Sequence, residues 1–185
     1  EDITGDPDML TLLKQDIKIR YNKPGNVYLG LVHRLDRPVG GVMIFAKTSK
    51  AASRLSDQIR RNKIGRRYMA VIHDRPHKKR NTLVHYLLKD NRKNMVHSVK
   101  KGTRRAKKAI LDYEIIDTKR NFSLAKINLH TGRPHQIRVQ FSSIGHPLYG
   151  DQRYNLRGDN VKDQIALWSY EMTCIHPTLR EEMVF

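Results

Sequence analysis

Two short stretches hold the residues best able to do chemistry: His33-Arg34-Leu35-Asp36, which leads into an apolar run, and Thr131-Gly132-Arg133-Pro134-His135-Gln136-Ile137-Arg138. Both crowd cationic donors around few acids. In the first, Asp36 is the only carboxylate, and Arg34 and Arg37 stand on either side of it. Guanidinium neighbours favour an ionised carboxylate, which suits Asp36 to act as a nucleophile or an anionic base rather than as a proton donor.

Two rival chemistries are weaker. Gly41 to Thr48 has the outline of a phosphate-binding loop, but the glycine before Lys47 is missing and Val42-Met43-Ile44-Phe45 reads as a strand. His73 and His77 have the i, i+4 spacing of a helical ligand pair, yet the chain has one cysteine, Cys174, and no second pair nearby. Neither nucleotide hydrolysis nor a metal site is expected.

The elements that must position these groups follow from hydrophobic periodicity. Met9, Leu10, Leu12, Leu13 and Ile17 have helical spacing that ends near Asn22-Lys23-Pro24-Gly25. Val27 to Val32 is β-prone and delivers the His33–Asp36 segment, after which Pro38, Gly40 and Gly41 break the chain before a buried strand over Val42 to Ala46. Asp36 is therefore expected on a loop between two strands. Ser49 is expected to cap a helix whose inward face is Ala52, Leu55 and Ile59 and which stops around Asn62 to Gly65. Arg67 to Ile72 alternates as a strand with Tyr68 and Ala70 on one face.

Ala109 to Asp117 and Phe122 to His130 alternate as well, and the polar Thr118-Lys119-Arg120-Asn121 between them predicts a hairpin that feeds the second motif. Pro134 suits the first turn of a helix that carries Ile137, Phe141 and Ile144 on one face and closes at Gly145. A turn-rich loop over His146 to Asp151, a last strand over Ile165 to Ile175 and a short terminal β segment complete the reading. With no repeat or low-complexity linker, the fold class is α+β: one unit built on a mixed, largely antiparallel sheet flanked by helices.

Composition indicates the partner. The 185 residues carry a formal net charge of +18, from 36 basic and 18 acidic side chains, far beyond what solubility requires. A polyanion is implied, nucleic acid before an anionic membrane. No apolar run approaches the roughly 20 residues of a spanning helix, and no signal-peptide pattern opens the chain, so a soluble protein is expected. The lone cysteine excludes an intrachain disulfide and points to the cytoplasm. Between Arg75 and Lys108, Asp90 is the only acid, and Lys100-Lys101 and Arg104-Arg105 belong to this basic stretch. Interleaved Val84, Tyr86, Leu87, Leu88, Met95 and Val99 predict short strands there that present cations to phosphates.

At three places the chain resembles the RluA-type family of RNA pseudouridine synthases. The family's HRLD, Gly, apolar strand, Ala-Lys pattern is met by His33 to Asp36, Gly41, Val42 to Phe45 and Ala46-Lys47; its Lys/Arg-x-Tyr-x-Ala strand by Arg66 to Ala70; and its Thr-Gly-Arg-x-His-Gln-Ile-Arg block with Gly-x-Pro-x-x-Gly-Asp by Thr131 to Arg138 and Gly145 to Asp151. Order and spacing agree from Leu31 to Asp151. The resemblance implies an enzyme that isomerises specific uridines of ribosomal or transfer RNA to pseudouridine, with the family's catalytic-domain fold and no cofactor, since the reaction is redox-neutral. Asp36 would be the catalytic carboxylate, by attack on ribose C1′, by attack on the base or by removal of a ribose proton. Tyr68 would stack on the base and take the C5 proton, and Arg138 would hold Asp36 ionised and aimed. His33, Arg34, Arg37, Arg133, His135, Gln136, Lys100, Lys101, Arg104 and Arg105 would brace the site or contact RNA.

The chain departs from the family wording at Pro38-Val39-Gly40-Gly41, which stands where Thr-Ser-Gly is commoner; the turn is expected to survive because the glycines remain. Residues 1–185 are expected to form a single catalytic domain that lacks the family's N-terminal strand and has no S4-like extension, acting as a monomer. A non-catalytic RNA-binding module using the same basic surface is the alternative of another class, and a DNA-binding protein is disfavoured because no groove-reading motif is present.

Overall fold

Alternating burial along the chain sets the architecture. The computed structural model describes residues 8–156, 158–159, 161 and 164–185. Tyr68, Ala70 and Ile72 are buried while the residues between them face outward, which makes one face of β4 (Gly65–His73) part of the core. The same alternation runs through β5 (Arg80–Asp90), β7 (Lys107–Lys119) and β8 (Phe122–Leu129). Their buried members, Leu83, Leu111, Tyr113, Ile115, Ala125 and Ile127, join Tyr68, Ala70 and Ile72 in the main core cluster.

These strands form an eight-stranded sheet in the order β10-β9-β4-β8-β7-β5-β6, with β6 at Met95–Val99, β9 at Leu167–Ile175 and β10 at Glu182–Val184. All of its pairings are antiparallel except that of β2 (Gly40–Gly41), which runs parallel to β9 at Trp168 and Ser169. The expected hairpin pairs β7 with β8 and is tighter than the four polar residues suggest, since Lys119 already pairs with Phe122.

Two strands expected on either side of Asp36 are much reduced. Val27 to Val32 yields only β1 (Gly30–Leu31), and Val42 to Ala46 only β3 (Phe45–Ala46), which pair with each other. Between them the backbone is satisfied otherwise: Val42 N–H donates to Ser169 O at 2.8 Å and Ile44 N–H to His33 Nε2 at 2.9 Å. Gly41 permits this course, because its φ of +122° is open to glycine and a Cβ there would overlap the Ser169 carbonyl.

Three helices are described. α1 (Met9–Arg20) starts at Asp8, whose carboxylate accepts from Thr11 N–H at 2.9 Å, and has no buried residue. α2 (Ser49–Arg60) is capped by Thr48 rather than Ser49: Thr48 is extended and its Oγ1 accepts from Ala51 N–H at 3.1 Å, whereas Ser49 is already helical. Leu55, with Ala52 and Ile59, packs onto a second cluster that holds Ile44, Ile64, Met172 and Cys174. α3 (Gln136–Ser143) lies against β5 and β6 with Gln136 to Phe141 all buried, so only its last turn meets solvent. Pro134 stands just before it, and His135 occupies the N-cap in the left-handed region, at φ 51°. No helix among the described residues is long and apolar enough to cross a membrane. His73 ends a strand and His77 lies in the loop beyond it, so their i, i+4 spacing is not helical.

Candidate active site

Arg138 is the hub of the site. The burial of α3 from Gln136 to Phe141 takes its guanidinium out of water, where a cation persists only with partners. Nε and Nη2 donate to Asp151 Oδ2 and Oδ1 at 2.8 and 2.7 Å, a bidentate pair, and Nη1 donates to Asp36 Oδ2 at 3.1 Å. Burial works against the Arg138 charge, but the two carboxylates outweigh it and raise its pKa. The Tyr154 ring lies 5.2 Å from the guanidinium carbon and adds a cation–π contact. Asp151 is itself buried and also accepts from the N–H groups of Arg153 and Tyr154, at 3.0 and 3.2 Å.

Asp36 reaches this hub from the loop between β1 and β2. Its carbonyl accepts from Val39 N–H at 2.8 Å, which closes the turn that Pro38 and the glycines were expected to keep. The side chain is partly exposed, at 29%, so the carboxylate is not sealed off by its pairing with Arg138. Tyr68, opposite Ser169 on β9, is close enough to feel the Asp36 charge. Burial raises the Tyr68 phenol's pKa, and Arg66 pulls against that.

The two motif histidines are neutral near pH 7. Burial, aided by the Arg66 charge, lowers His33 to about 4, in keeping with an Nε2 that accepts from Ile44 N–H. Burial also lowers His135, against the attraction of Asp36. Its Nδ1 lies 2.6 Å from Tyr154 Oη, which accepts from Val96 N–H at 2.9 Å and so is free to give its own proton to the imidazole.

The remaining expected residues divide. Gln136 is buried: its Oε1 accepts from Thr131 Oγ1 at 2.8 Å and from Arg133 N–H at 3.0 Å, and its Nε2 donates to Ile110 O at 3.0 Å. It ties the Thr131–Arg133 loop to β7. Arg133 is half-buried, with Nε donating to Lys108 O at 3.0 Å, and Arg34 and Arg37 are exposed on the Asp36 loop. Lys100, Lys101, Arg104 and Arg105 are exposed on the β6–β7 connection, and among the described residues no hydrogen bond or ion pair joins them to Asp36 or Arg138. Asp151 and Tyr154 were not anticipated as parts of the site, although Asp151 closes the Gly145–Asp151 motif; neither was Arg66, which opens the Arg66–Ala70 motif.

The chain and its fold have known relatives. Residues 3–143 match the family described as RNA pseudouridylate synthase. The chain is 32% identical over 156 residues to an uncharacterised RNA pseudouridine synthase of Mycoplasma pneumoniae, covering 84% of this chain and 50% of that one. It is 37% identical over 140 residues to ribosomal large subunit pseudouridine synthase D of Haemophilus influenzae, covering 69% of this chain and 38% of the relative. The chain thus spans about half the length of such relatives, or less. A human protein described as RNA pseudouridylate synthase domain containing 4 has the same fold, with a TM-score of 0.81 over 97% of this chain and 78% of its own, at 20% identity. Motifs, sequence match and fold converge, and the chain belongs to the RNA pseudouridylate synthase family.

Proposed function

We propose that this chain is the catalytic part of an RNA pseudouridine synthase acting on uridines of ribosomal or transfer RNA, with Asp36 as the catalytic carboxylate. The reaction breaks the bond from ribose C1′ to uracil N1 and joins C1′ to C5. C5 loses its proton and N1 gains one, so no oxidant or reductant is required. One observation carries the reading: Arg138, gripped from behind by Asp151, engages only Oδ2 of Asp36. Among the described residues Asp36 Oδ1 has no hydrogen-bond partner, and a carboxylate held by a fixed cation on one oxygen, with the side chain partly exposed, is what attack on C1′, attack on the base and removal of a ribose proton all begin from.

Tyr68 feels the Asp36 charge but is only 8% exposed, so it would meet the base through the small part of its ring that the core leaves open. A uridine in folded RNA must leave its stack to reach Asp36, at a cost of a few kcal/mol, and stacking on an aromatic ring returns about 1–3 kcal/mol. The relatives named for the ribosomal large subunit favour ribosomal RNA, and mapping pseudouridines in total RNA with and without the gene tests that choice.

The enzymatic reading is tested with Asp36→Asn. Tritium release from C5-labelled uridine in an RNA identified by such mapping is expected to fall at least about a thousandfold, roughly 4 kcal/mol of lost transition-state stabilisation, while RNA binding stays near wild type. Full activity in the variant removes Asp36 from the chemistry. Salt-dependent RNA binding by the natural protein, with no isomerisation, would instead identify a binding module.

A further inference from the structure

Arg66 stands two residues before Tyr68 on β4, and no carboxylate among the described residues pairs with it. Its Nε is buried without a hydrogen-bond partner, and among the described residues it forms no ion pair. Its charged and polar neighbours are Tyr68, His33 and a second guanidinium, Arg133. Burial and the Arg133 charge both depress its pKa, and Tyr68 only partly offsets them. The guanidinium nevertheless has a place made for it. A Cβ on Gly132 would overlap Arg66 Nη1 and come within 3.1 Å of its Cζ, so the glycine of the Thr131–Arg133 loop is what lets the side chain lie there.

A half-buried cation beside another cation is unfavourable in the free protein, and the natural remedy is an anion supplied by a ligand. We propose that Arg66 and Arg133 form a subsite for a phosphodiester of the RNA, next to the nucleotide that stacks on Tyr68. The inference rests on the functional reading above for the nature of the ligand. A phosphodiester fits because it brings a full charge and several acceptor oxygens to two neighbouring guanidinium groups, whereas a neutral carbonyl would leave their repulsion in place. Arg66 acts here by binding, not by reacting.

The test measures binding of a stem-loop RNA with an all-uridine loop, unmodified or carrying one uncharged methylphosphonate linkage at successive loop positions. Arg66→Met is expected to weaken binding about tenfold, as for loss of one charge-assisted contact, and to reduce the slope of log affinity against log salt by about 0.7. One methylphosphonate position should weaken wild-type binding but leave Arg66→Met indifferent. Arg66→Lys should restore part of the affinity. Gly132→Ala, which displaces the guanidinium without removing its charge, should weaken binding at the same linkage. The melting temperature of Arg66→Met should equal or exceed that of wild type, since an uncompensated cation is removed. An unchanged salt slope, together with the same methylphosphonate penalty in both proteins, overturns the subsite; a lower melting temperature with that result marks Arg66 as structural. Because binding is read without turnover, absence of isomerisation would count against the enzymatic reading and leave this one standing.

Discussion

Arg138 and Arg66 are two guanidinium groups drawn into the same site, and they keep opposite company. Arg138 makes three hydrogen bonds to two carboxylates and lies against the Tyr154 ring, so its charge is reinforced despite burial. Arg66 faces Tyr68, a neutral histidine and another arginine, and its charge is weakened. One half of the site is electrostatically complete without a ligand and fixes the orientation of Asp36. The other half is incomplete until an anion arrives. The division separates residues that position the reactive oxygen from residues that position the RNA.

The strongest way to break this contrast is to remove the completed half's anchor. Asp151→Ala leaves a buried guanidinium with Asp36 alone and strips the Arg153 and Tyr154 N–H groups of their acceptor. Loss of one partner of a buried ion pair is expected to cost about 3–5 kcal/mol, read from urea unfolding. The matching change on the other side, Arg66→Met, removes no partner and should cost nothing comparable. Equal destabilisation by the two substitutions would erase the distinction.

A smaller effect lies in pH. The folded-state pKa of His33 is lowered from 6.5 to about 4, so between those values the unfolded chain binds a proton that the folded chain does not. Stability should therefore fall as pH drops from about 6.5 towards 4, by an amount on the order of 2 kcal/mol once the partial exposure of the ring is allowed for. Burial is the larger cause and Arg66 the second, so Arg66→Met should raise the His33 pKa only part of the way back. Titrating the imidazole by NMR in both proteins checks the value and its dependence on Arg66. A His33 that titrates near 6.5 in the folded protein would contradict the burial assigned to it.

Much of this was legible in the sequence where physics is local. Strand alternation exposes β4, β7 and β8, and the HRLD and Thr-Gly-Arg blocks mark where Asp36 and Arg138 stand. Long-range pairing was not legible. Asp151 follows Arg138 by thirteen residues, in a turn-rich loop, and no spacing rule announces that its carboxylate folds back as a bidentate partner. The resemblance makes Gln136 a brace of the site or an RNA contact, and only the burial of Gln136 to Phe141 shows its side chain tied to Thr131, Arg133 and Ile110. The β-prone Val27 to Val32 and Val42 to Ala46 shrink to two-residue strands because His33 and Ser169 take the N–H groups of Ile44 and Val42 that a neighbouring strand would have used. Met9 and Leu12 have helical spacing and form the helix, but spacing does not reveal what covers a helix, and both are exposed.

The smallest expected effect sharpens the contrast from a third side, by comparing Arg66 with cations that solvent already satisfies. Lys100, Lys101, Arg104 and Arg105 are exposed on the β6–β7 connection, a turn ordered by Thr103 N–H to Lys100 O at 3.2 Å and Ala106 N–H to Thr103 O at 3.1 Å. Water and salt screen such charges over a Debye length of about 8 Å at physiological ionic strength, so each can add diffuse attraction to RNA but little that depends on geometry. Replacing all four with alanine should leave the melting temperature and the rate at saturating RNA unchanged. It should lower the salt slope of binding by no more than about 3, the limit if each charge met one phosphate of a single strand. The decisive comparison is with single methylphosphonate linkages: neutralising the turn should leave their penalties intact, because screened charges do not choose one phosphate, whereas Arg66→Met should abolish one of them. A penalty that vanished in the turn variant would move the specific phosphate contact out of the cleft and onto the edge of the sheet.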